Sequence, residues 1–482
     1  ASQNHFEHPM GKTAKAREKI ILERLKARVD DESSISSDYL KFVQHVLRDV
    51  DDLITLQTNE DMKETMDMDD SDEAWQKRLY KLSDWLKKEA PNCLIDEKFT
   101  FTHSAAEGRG VIAKKDIAKN ELFVSVPRRV MLTTESAKAS VVGQILRNDP
   151  ACSRMPNVLL ALHLLYERLN PNSFWKPYID SLPRKFPLPM MFRARELEAL
   201  SGSPSFVRTI KLIKSQIKNY LYFHKIFRMS SVSLPPFLFK DYQWAMAVAM
   251  SRQNKIPSKD WTEAYAQFDL ALIPAMDMCN YGDGEVTTFF KEERSESFAM
   301  NAVKSGEQIM IYYGDRDNSS LFVHMGFVVE NHSNDSILIE VSRIPKEDPL
   351  FKLKKLLLGK IGIGSIQEFS IGQSGQLPTD LIQYCRIAVI TKQDAVEYMR
   401  KKEIMSRVST SNEAATCLLM KQIFDDLQTG YKLTPEVVDS MLANVSKYSE
   451  NEVSIARLLR MERNILNAAS EILNKYTKLS VR

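Results

Sequence analysis

Apolar residues recur at helical spacing along most of the chain, and two shorter stretches change to alternating spacing. The helical pattern predicts helices over residues 12–29, 39–56, 75–86, 157–169, 204–227 and 241–252. The alternating pattern predicts strands over residues 98–103, 110–114, 121–126, 268–273, 285–290, 297–303 and 308–313. After residue 344 the pattern is helical to the end of the chain. This order predicts an α+β fold in which a helical block interrupts a domain of short strands.

Changes in periodicity and charge also divide the chain into segments. Residues 61–73 hold seven acids and one lysine, and we interpret them as a mobile linker. The predicted segments are N-terminal helices and linker (1–73), a first β part (74–135), a helical insert (136–250), a second β part (251–332) and a helical C-terminal domain (333–482).

Composition narrows the class of protein. The chain has 482 residues, 44% of them hydrophobic and 27% charged, with a formal net charge of +3. This near balance favours neither nucleic-acid nor membrane-surface binding, and no apolar run approaches the roughly 20 residues of a membrane span. The five cysteines are far apart, which favours a reducing compartment. We therefore expect a cytoplasmic protein, and we also expect a monomer. The basic residues 12–29 favour a solvated helix, with a nuclear address, and so an additional nuclear location, as the weaker interpretation.

The most informative stretch runs from Ala271 to Phe327. An apolar strand ends there in the polar turn Asp277-Met278-Cys279-Asn280-Tyr281, and about thirty residues later comes Tyr312-Tyr313-Gly314. Taken alone, the turn indicates side chains bonded to their own backbone, and the tyrosines indicate a core strand. Together they suggest a small polar ligand beside an aromatic slot. No HExxH motif or His/Cys cluster is present, so we predict no metal.

Two further motifs precede this stretch, namely Glu107-Gly108-Arg109-Gly110 and Arg252-Gln253-Asn254. With DMCNY and IYYG they form an ordered set that resembles the SET-domain methyltransferases of the Rubisco large-subunit methyltransferase-like class. Within this class the likeness is greatest to members that methylate a histidine of actin. The resemblance implies a SET domain with a helical insert, followed by an all-helical substrate-binding domain, and S-adenosylmethionine as cofactor.

The resemblance also implies a set of cofactor-binding residues. They are Glu107, Gly108, Gly110, Glu121, Leu122, Phe123, Arg252, Asp277, Met278, Cys279, Asn280, Tyr281, Tyr313, Gly326 and Phe327. Arg252 is suited to a carboxylate and Asn280 to amino and adenine edges. The family usually has histidine where this chain has Tyr281. Arg78 is a candidate for a further carboxylate contact.

For catalysis the resemblance implies Tyr313 as the tyrosine beside the methyl group. A free tyrosine pKa of about 10 makes it a poor base, so we assign it orientation and polarisation of the methyl. We assign Asn254 both a catalytic and a substrate-binding role. Its amide oxygen can accept the N–H of an imidazole, which leaves the other ring nitrogen free to attack the methyl group. Ile311 would form an apolar wall and Arg316 would pair with an acid beside the target.

Met276 departs from the histidine-directed members, which have tryptophan at this substrate-binding position. Methionine is flexible and specifies geometry poorly; Tyr312 or Trp261 could compensate. The expected function is therefore S-adenosylmethionine-dependent protein-histidine N-methylation of actin. The alternatives are a protein-lysine methyltransferase and a catalytically weakened SET-fold actin-binding protein.

Overall fold

The computed structural model describes residues 12–31, 39–58, 71–104, 108–232, 234–259, 268–364, 367–400 and 407–480. The chain divides into two compact units. Unit 1 comprises Ala1–Phe186 and Ile213–Gly314, and unit 2 comprises Pro187–Leu212 and Asp315–Arg482. Among the described residues no helix is both long and apolar enough to cross a membrane.

The N-terminal part of unit 1 changes from helices to short strands and back to helices. Its elements are α1 (Lys12–Asp30), α2 (Tyr39–Gln57), α3 (Asp72–Glu89), β1 (Phe99–Ser104), β2 (Gly108–Ala113), β3 (Leu122–Pro127), β4 (Leu132–Thr133), α4 (Thr134–Ala139), α5 (Val141–Ile145), α6 (Ala151–Arg154), α7 (Pro156–Leu169) and α8 (Lys176–Asp180). Next come α9 (Ala194–Ala199) in unit 2 and α10 (Pro204–Met229), which begins in unit 2 and ends in unit 1.

The remaining elements of unit 1 are mostly strands. They are α11 (Phe239–Arg252), β5 (Asn254–Pro257), β6 (Phe268–Leu272), β7 (Asn280–Tyr281), β8 (Thr288–Lys291), β9 (Arg294–Phe298) and β10 (Met310–Ile311). The described strands form small sheets with the orders β1-β2, β4-β6-β5, β3-β9-β8 and β7-β10. Only the last pair is parallel; the others are antiparallel.

The apolar helix α7 forms much of the core of unit 1. Its residues from Val158 to Leu165 are almost fully buried, and it packs against α11, whose stretch Ala245–Ala249 is also buried. A helix that is apolar on nearly all sides has to be covered on all sides, which explains its central place. The end of α11 leads directly into Asn254 and β5.

The N-terminal hairpin of α1 and α2 is joined to the rest of unit 1 through Gln57. The Gln57 amide donates to Glu18 Oε1 at 2.8 Å and to the Tyr220 hydroxyl at 2.9 Å, and its oxygen accepts the Phe239 amide N–H at 3.0 Å. Gln57 is 1% exposed. Buried polar groups that satisfy one another in this way specify a single docking geometry.

Unit 2 is mainly helical. Its further elements are α12 (Asn318–Met325), β11 (Ser336–Glu340), α13 (Phe351–Lys360), β12 (Glu368–Gly372), α14 (Thr379–Ala388), α15 (Lys392–Arg400), α16 (Thr410–Gly430), α17 (Pro435–Ala443) and α18 (Glu450–Ser480). The long helix α18 packs against α16 and α17. Buried Glu462 on α18 accepts hydroxyl hydrogen bonds from Ser203, Ser205 and Tyr431.

The structure confirms the predicted helices between residues 12 and 252 and most of the strands. Three expectations were wrong in detail. The strand expected over 297–303 is β9, which begins and ends several residues earlier. The helical pattern after residue 344 hides β12, which pairs with β11. The expected linker ends sooner than residue 73, because Ser71 caps α3; residues 61–70 lie outside the described part.

Candidate active site

The polar turn after β6 begins with a strained residue. Ala275 has φ 71° and ψ −51°, a conformation close to the γ-turn that L-residues rarely adopt. A short 3₁₀ turn over Met276–Met278 follows, and the Cys279 amide N–H donates to the Met276 carbonyl at 3.1 Å. The chain then enters β7, where Asn280 pairs with Met310 and Tyr281 with Ile311. This parallel pairing brings the turn beside the segment that leads to Tyr313.

Half-buried Arg252 and buried Asp277 form a polar pair at this turn. A guanidinium N–H of Arg252 donates to the Asp277 carbonyl, and the Tyr178 hydroxyl donates to Asp277 Oδ2. Burial raises the pKa of the Asp277 carboxyl to about 6, although the Arg252 charge and the Tyr178 hydrogen bond both act to lower it. Within the described residues, Arg252 Nε and Asp277 Oδ1 are buried without a hydrogen-bond partner. The pair therefore keeps one donor and one acceptor for a ligand.

Asn280 joins the turn to β2. Its amide Nδ2 donates to the Arg109 carbonyl and to Gln308 Oε1, both at 2.9 Å. A Cβ on Gly110 would lie 2.9 Å from Gln308 Oε1 and 3.2 Å from Asn280 Nδ2. Glycine permits this close approach without displacing either amide, as expected where backbone passes near a ligand or a buried amide. The same bonds orient the Asn280 amide and leave its oxygen as an acceptor.

Tyr313 is held by the turn it faces. Its hydroxyl donates to the Cys279 carbonyl at 2.8 Å, and its ring lies edge to face with Tyr281, with centroids 5.6 Å apart. Burial raises the pKa of the Tyr313 hydroxyl above its usual value of 10. The phenol is therefore neutral at physiological pH, and its oxygen remains available as an acceptor because its proton is used on Cys279.

Asn254 lies at the start of β5, opposite Ala271 of β6. Its Nδ2 donates to the Arg252 carbonyl at 3.0 Å, two residues earlier. An asparagine at the end of a helix often bonds to nearby backbone in this way, and the contact also determines the orientation of the amide. In the described part of the chain, Oδ1 of Asn254 accepts no hydrogen bond, so it is the group that could receive a donor.

The other predicted substrate residues occupy different environments. Met276 is 2% exposed, and its sulfur accepts a hydrogen bond from the Ser295 hydroxyl of β9. Ile311 is buried beside Tyr281. Arg316 belongs to unit 2, where its carbonyl contacts the His332 ring nitrogen at 2.6 Å. Their roles toward a substrate stay predictions.

The predicted cofactor residues are likewise unevenly gathered. Arg252, the turn from Asp277 to Tyr281, Gly110 and Tyr313 form one connected group. Gly108 begins β2 with φ 68°, while Glu121 bonds to Lys98 and Ala118, and Leu122 and Phe123 lie at a bulge in β3. Gly326, which caps α12 with φ 83°, and Phe327 belong to unit 2. Glu107 and Trp261 lie outside the described residues.

Sequence reasoning missed two residues of this group. The Tyr178 hydroxyl donates a hydrogen bond to Asp277, which lies 99 residues later in the chain. The side-chain oxygen of Gln308 accepts a hydrogen bond from Asn280. Tyr178 lies in the string NSFWKPYI (residues 172–179), which also resembles the family. The sequence thus drew attention to this string but did not indicate what Tyr178 does. Arg78, the candidate for a carboxylate contact, lies 4.4 Å from the Trp75 ring, and Arg109 lies 3.9 Å from the same ring.

Comparison with protein-family models places this geometry in a known domain. The SET domain model matches residues 108–314, which include every member of the connected group. The Rubisco LSMT substrate-binding model matches residues 345–466. The chain is a SET-domain protein. Its SET domain is followed by a substrate-binding domain of the Rubisco LSMT type.

Several curated relatives share a name. The actin-histidine N-methyltransferase of Papio anubis is 33% identical over 379 residues, 75% of this chain and 63% of the relative. The Homo sapiens protein of the same name is 32% identical over the same shares, and the Mus musculus protein is 33% identical over 69% of this chain and 56% of its own. This chain thus spans less than two thirds of these relatives' length.

Solved structures share the fold. The SET domain of LSMT bound to lysine and AdoHcy superposes with a TM-score of 0.72 at 21% identity, covering 84% of this chain and 92% of the other. Rubisco LSMT bound to AdoMet gives 0.70 at 21% identity, covering 83% and 92%. The α+β fold with a mostly helical C-terminal domain is therefore established; β11 and β12 add one strand pair to that domain.

Proposed function

We propose that this SET-domain protein is an S-adenosylmethionine-dependent protein-histidine N-methyltransferase that acts on a histidine of actin. The proposal is supported by the name shared by the curated relatives and by one observation of the site. The Nδ2 of Asn254 is engaged by the Arg252 carbonyl, which leaves Oδ1 as the acceptor that an imidazole N–H requires.

The residues at the turn fit S-adenosylmethionine. Arg252 Nε is a buried donor without a partner in the described chain, and a guanidinium N–H suits the carboxylate of an amino acid. The Asn280 oxygen is an acceptor for an amino group, since both amide hydrogens are used on Arg109 and Gln308. The cofactor would supply a methyl group on a sulfonium, an electrophile that needs no metal.

The chain's own residues would then align and shield the reacting groups. Tyr313, neutral and held by Cys279, presents its oxygen to the polarised methyl hydrogens through weak C–H···O contacts. Asn254 accepts the N–H of the target imidazole, so the other ring nitrogen keeps its lone pair for attack. The ring would become positive as the new N–C bond forms and the sulfur–methyl bond breaks, which leaves a neutral thioether. The Asn254 oxygen would stabilise that charge until the ring N–H proton passes to water.

Histidine suits this site for a further reason. An imidazole with a pKa of about 6.5 is mostly neutral near pH 7, whereas a lysine with a pKa of about 10.4 has to lose a proton first. Burial raises the pKa values of Tyr281 and Cys279 beside Tyr313, so both side chains stay protonated near pH 7 and cannot accept a proton from a lysine. A target that is already neutral avoids that requirement.

One observation favours a protein-lysine methyltransferase as the second candidate. Met276 is buried with its sulfur on Ser295, so a flexible side chain stands where a rigid aromatic wall would select a flat ring. Two structural neighbours, LSMT and Rubisco LSMT, hold lysine and monomethyllysine respectively. Methyl transfer to lysine alone would favour this candidate.

Replacement of Asn254 tests the proposed role. We expect Asn254→Ala to raise the barrier by about 1–2 kcal/mol, roughly a 5- to 30-fold loss of kcat/KM on actin, with little change in cofactor affinity. Asn444→Ala is the matched control, because its amide also donates to a nearby carbonyl, at 2.9 Å from Ser440. Methyl transfer would be followed with labelled cofactor, and cofactor binding by calorimetry. Unchanged turnover in Asn254→Ala would contradict the assignment.

A further inference from the structure

The ring of Tyr281 lies directly against the ring of Tyr313. Residues 280–281 of β7 run parallel to residues 310–311 of β10, and the Gly282 amide N–H donates to the Ile311 carbonyl at 3.0 Å. This pairing brings the side chain of Tyr281 beside the residues that follow β10. Tyr281 contacts Tyr312, with ring centroids 6.1 Å apart, and Tyr313 at 5.6 Å.

The contact with Tyr313 has a defined geometry. The two ring planes meet at 78°, so the edge of one ring points at the face of the other, an arrangement that aromatic pairs prefer at this distance. Tyr312 is tilted at 46° and provides a second neighbour. An edge-to-face contact resists rotation of either ring, because rotation replaces the favourable contact by a clash or a gap.

Tyr313 is therefore held at two points by one short segment. The Cys279 carbonyl receives its hydroxyl at 2.8 Å, and the Tyr281 side chain contacts its ring. A hydrogen bond at the end of a phenol fixes the position of the oxygen but leaves rotation about the ring axis. The ring contact supplies the missing restraint.

Tyr281 itself is well placed for this task. Its backbone is fixed by the β7–β10 pairing. Burial, with a further contribution from the Asp283 carboxylate, raises the pKa of the Tyr281 hydroxyl to about 12, so its ring stays uncharged. The contact with Tyr313 is made by the aromatic ring, which phenylalanine would preserve and alanine would remove.

We propose that Tyr281 is a positioning residue that fixes the ring plane of Tyr313 and thereby the direction in which the lone pairs of its phenol oxygen point. This inference rests on the proposed function for the catalytic role of Tyr313, but the restraint on the ring is a property of the protein alone. It assigns a use to the side chain at the position where the family usually has histidine.

The first test measures the ring without any reaction. With 3-fluorotyrosine incorporated at position 313, fluorine NMR of the full chain should show slow ring flipping when residue 281 is Tyr or Phe. It should show a single averaged signal in Tyr281→Ala. Tyr222→Ala is the matched control, because Tyr222 is an exposed tyrosine of α10 that hydrogen-bonds Asp149. Equal flipping in all variants would overturn the proposal.

The second test measures turnover. We expect Tyr281→Ala to lower kcat about 10- to 100-fold while the dissociation constant of S-adenosylmethionine changes less than about threefold. Tyr281→Phe should restore kcat to within about twofold of the original protein. A loss of cofactor affinity at unchanged saturating kcat would identify Tyr281 as a cofactor contact instead and overturn the proposal. Failure of the original protein to bind the cofactor would contradict the proposed function, while the NMR result would still decide the role of Tyr281.

Discussion

Gly110 lies where β2 passes the amides of Asn280 and Gln308. The sequence could predict Gly110 as a site residue, because the glycines between two strand-like runs imply close backbone approach. The sequence could not predict which side chains lie against this glycine. The partners come from 170 and 198 positions further along the chain and are brought together only by the fold.

Replacing Gly110 by alanine should displace the Asn280 amide. The added Cβ would lie 2.9 Å from Gln308 Oε1, closer than ordinary contacts allow, so the side-chain pair has to move. We expect cofactor affinity to fall about tenfold, the equivalent of roughly one hydrogen bond. Gly359→Ala on α13 is the control, because no atom lies within 4 Å of its added Cβ. Calorimetry that gave equal affinities for both variants would refute this role.

Residues of the site differ in how readily the sequence reveals them. Tyr313 and Asn280 belong to contiguous motifs, and the structure joins both to the same turn. Tyr178 lies in a string that resembles the family, but that string does not reveal its role, which depends on Asp277, 99 positions away. The strain at Ala275 was also unpredictable, because alanine is not a residue that sequence rules place at positive φ.

At the scale of elements, two buried glutamates of unit 2 have opposite electrostatic environments. Glu462 on α18 accepts hydrogen bonds from hydroxyl groups alone among the described residues, and burial raises its pKa to about 7. Glu413 on α16 accepts two hydrogen bonds from the Arg386 guanidinium, both at 2.9 Å. Burial would raise the pKa of Glu413, but these bonds and the Arg386 charge lower it overall.

These environments predict opposite pH dependences of stability. Because the folded pKa of Glu462 exceeds the usual 4.5, its ionisation destabilises unit 2 progressively as the pH rises from about 4.5 to about 7. The stability of Glu462→Gln relative to the original protein should therefore rise across this window, by on the order of 3 kcal/mol.

Glu413→Gln should show the reverse trend. Its lowered pKa contributes stability above pH 4.5 that is lost on acidification, so the variant should be most destabilised near neutral pH. Thermal unfolding of both variants across pH 2–8 measures the two slopes, since the Glu413 change falls below pH 4.5 and the Glu462 change above it. If the stabilities of the two variants changed with pH in the same direction, the opposite pKa shifts of Glu462 and Glu413 would be contradicted.

Element boundaries show where sequence patterns are insufficient. Helix α7 was predictable because its apolar residues are continuous and Pro156 marks its start. The strand pair β11–β12 was less visible, because Glu368–Gly372 is short and lies between helices. Its alternation, with Phe369 and Ile371 buried, becomes clear only beside its partner strand.

The two compact units of the molecule are each built from two separate stretches of the chain, so they do not match the consecutive segments predicted from the sequence. The helical block predicted as a single insert contributes Pro187–Leu212 to unit 2 and the rest to unit 1. Periodicity identifies helices but not the unit in which each is buried, because burial depends on partners distant in the chain. The order of motifs was nevertheless sufficient to predict the SET domain, which spans both sets of strands.

The proposed function depends on which atom of actin receives the methyl group. Purified full chain would be incubated with actin and isotopically labelled S-adenosylmethionine, and the modified actin digested and mapped by tandem mass spectrometry. We predict label on a ring nitrogen of a single histidine, lost in proportion to kcat in Asn254→Ala. Label confined to lysine side chains, or no label on actin while the cofactor binds, would contradict the proposed function.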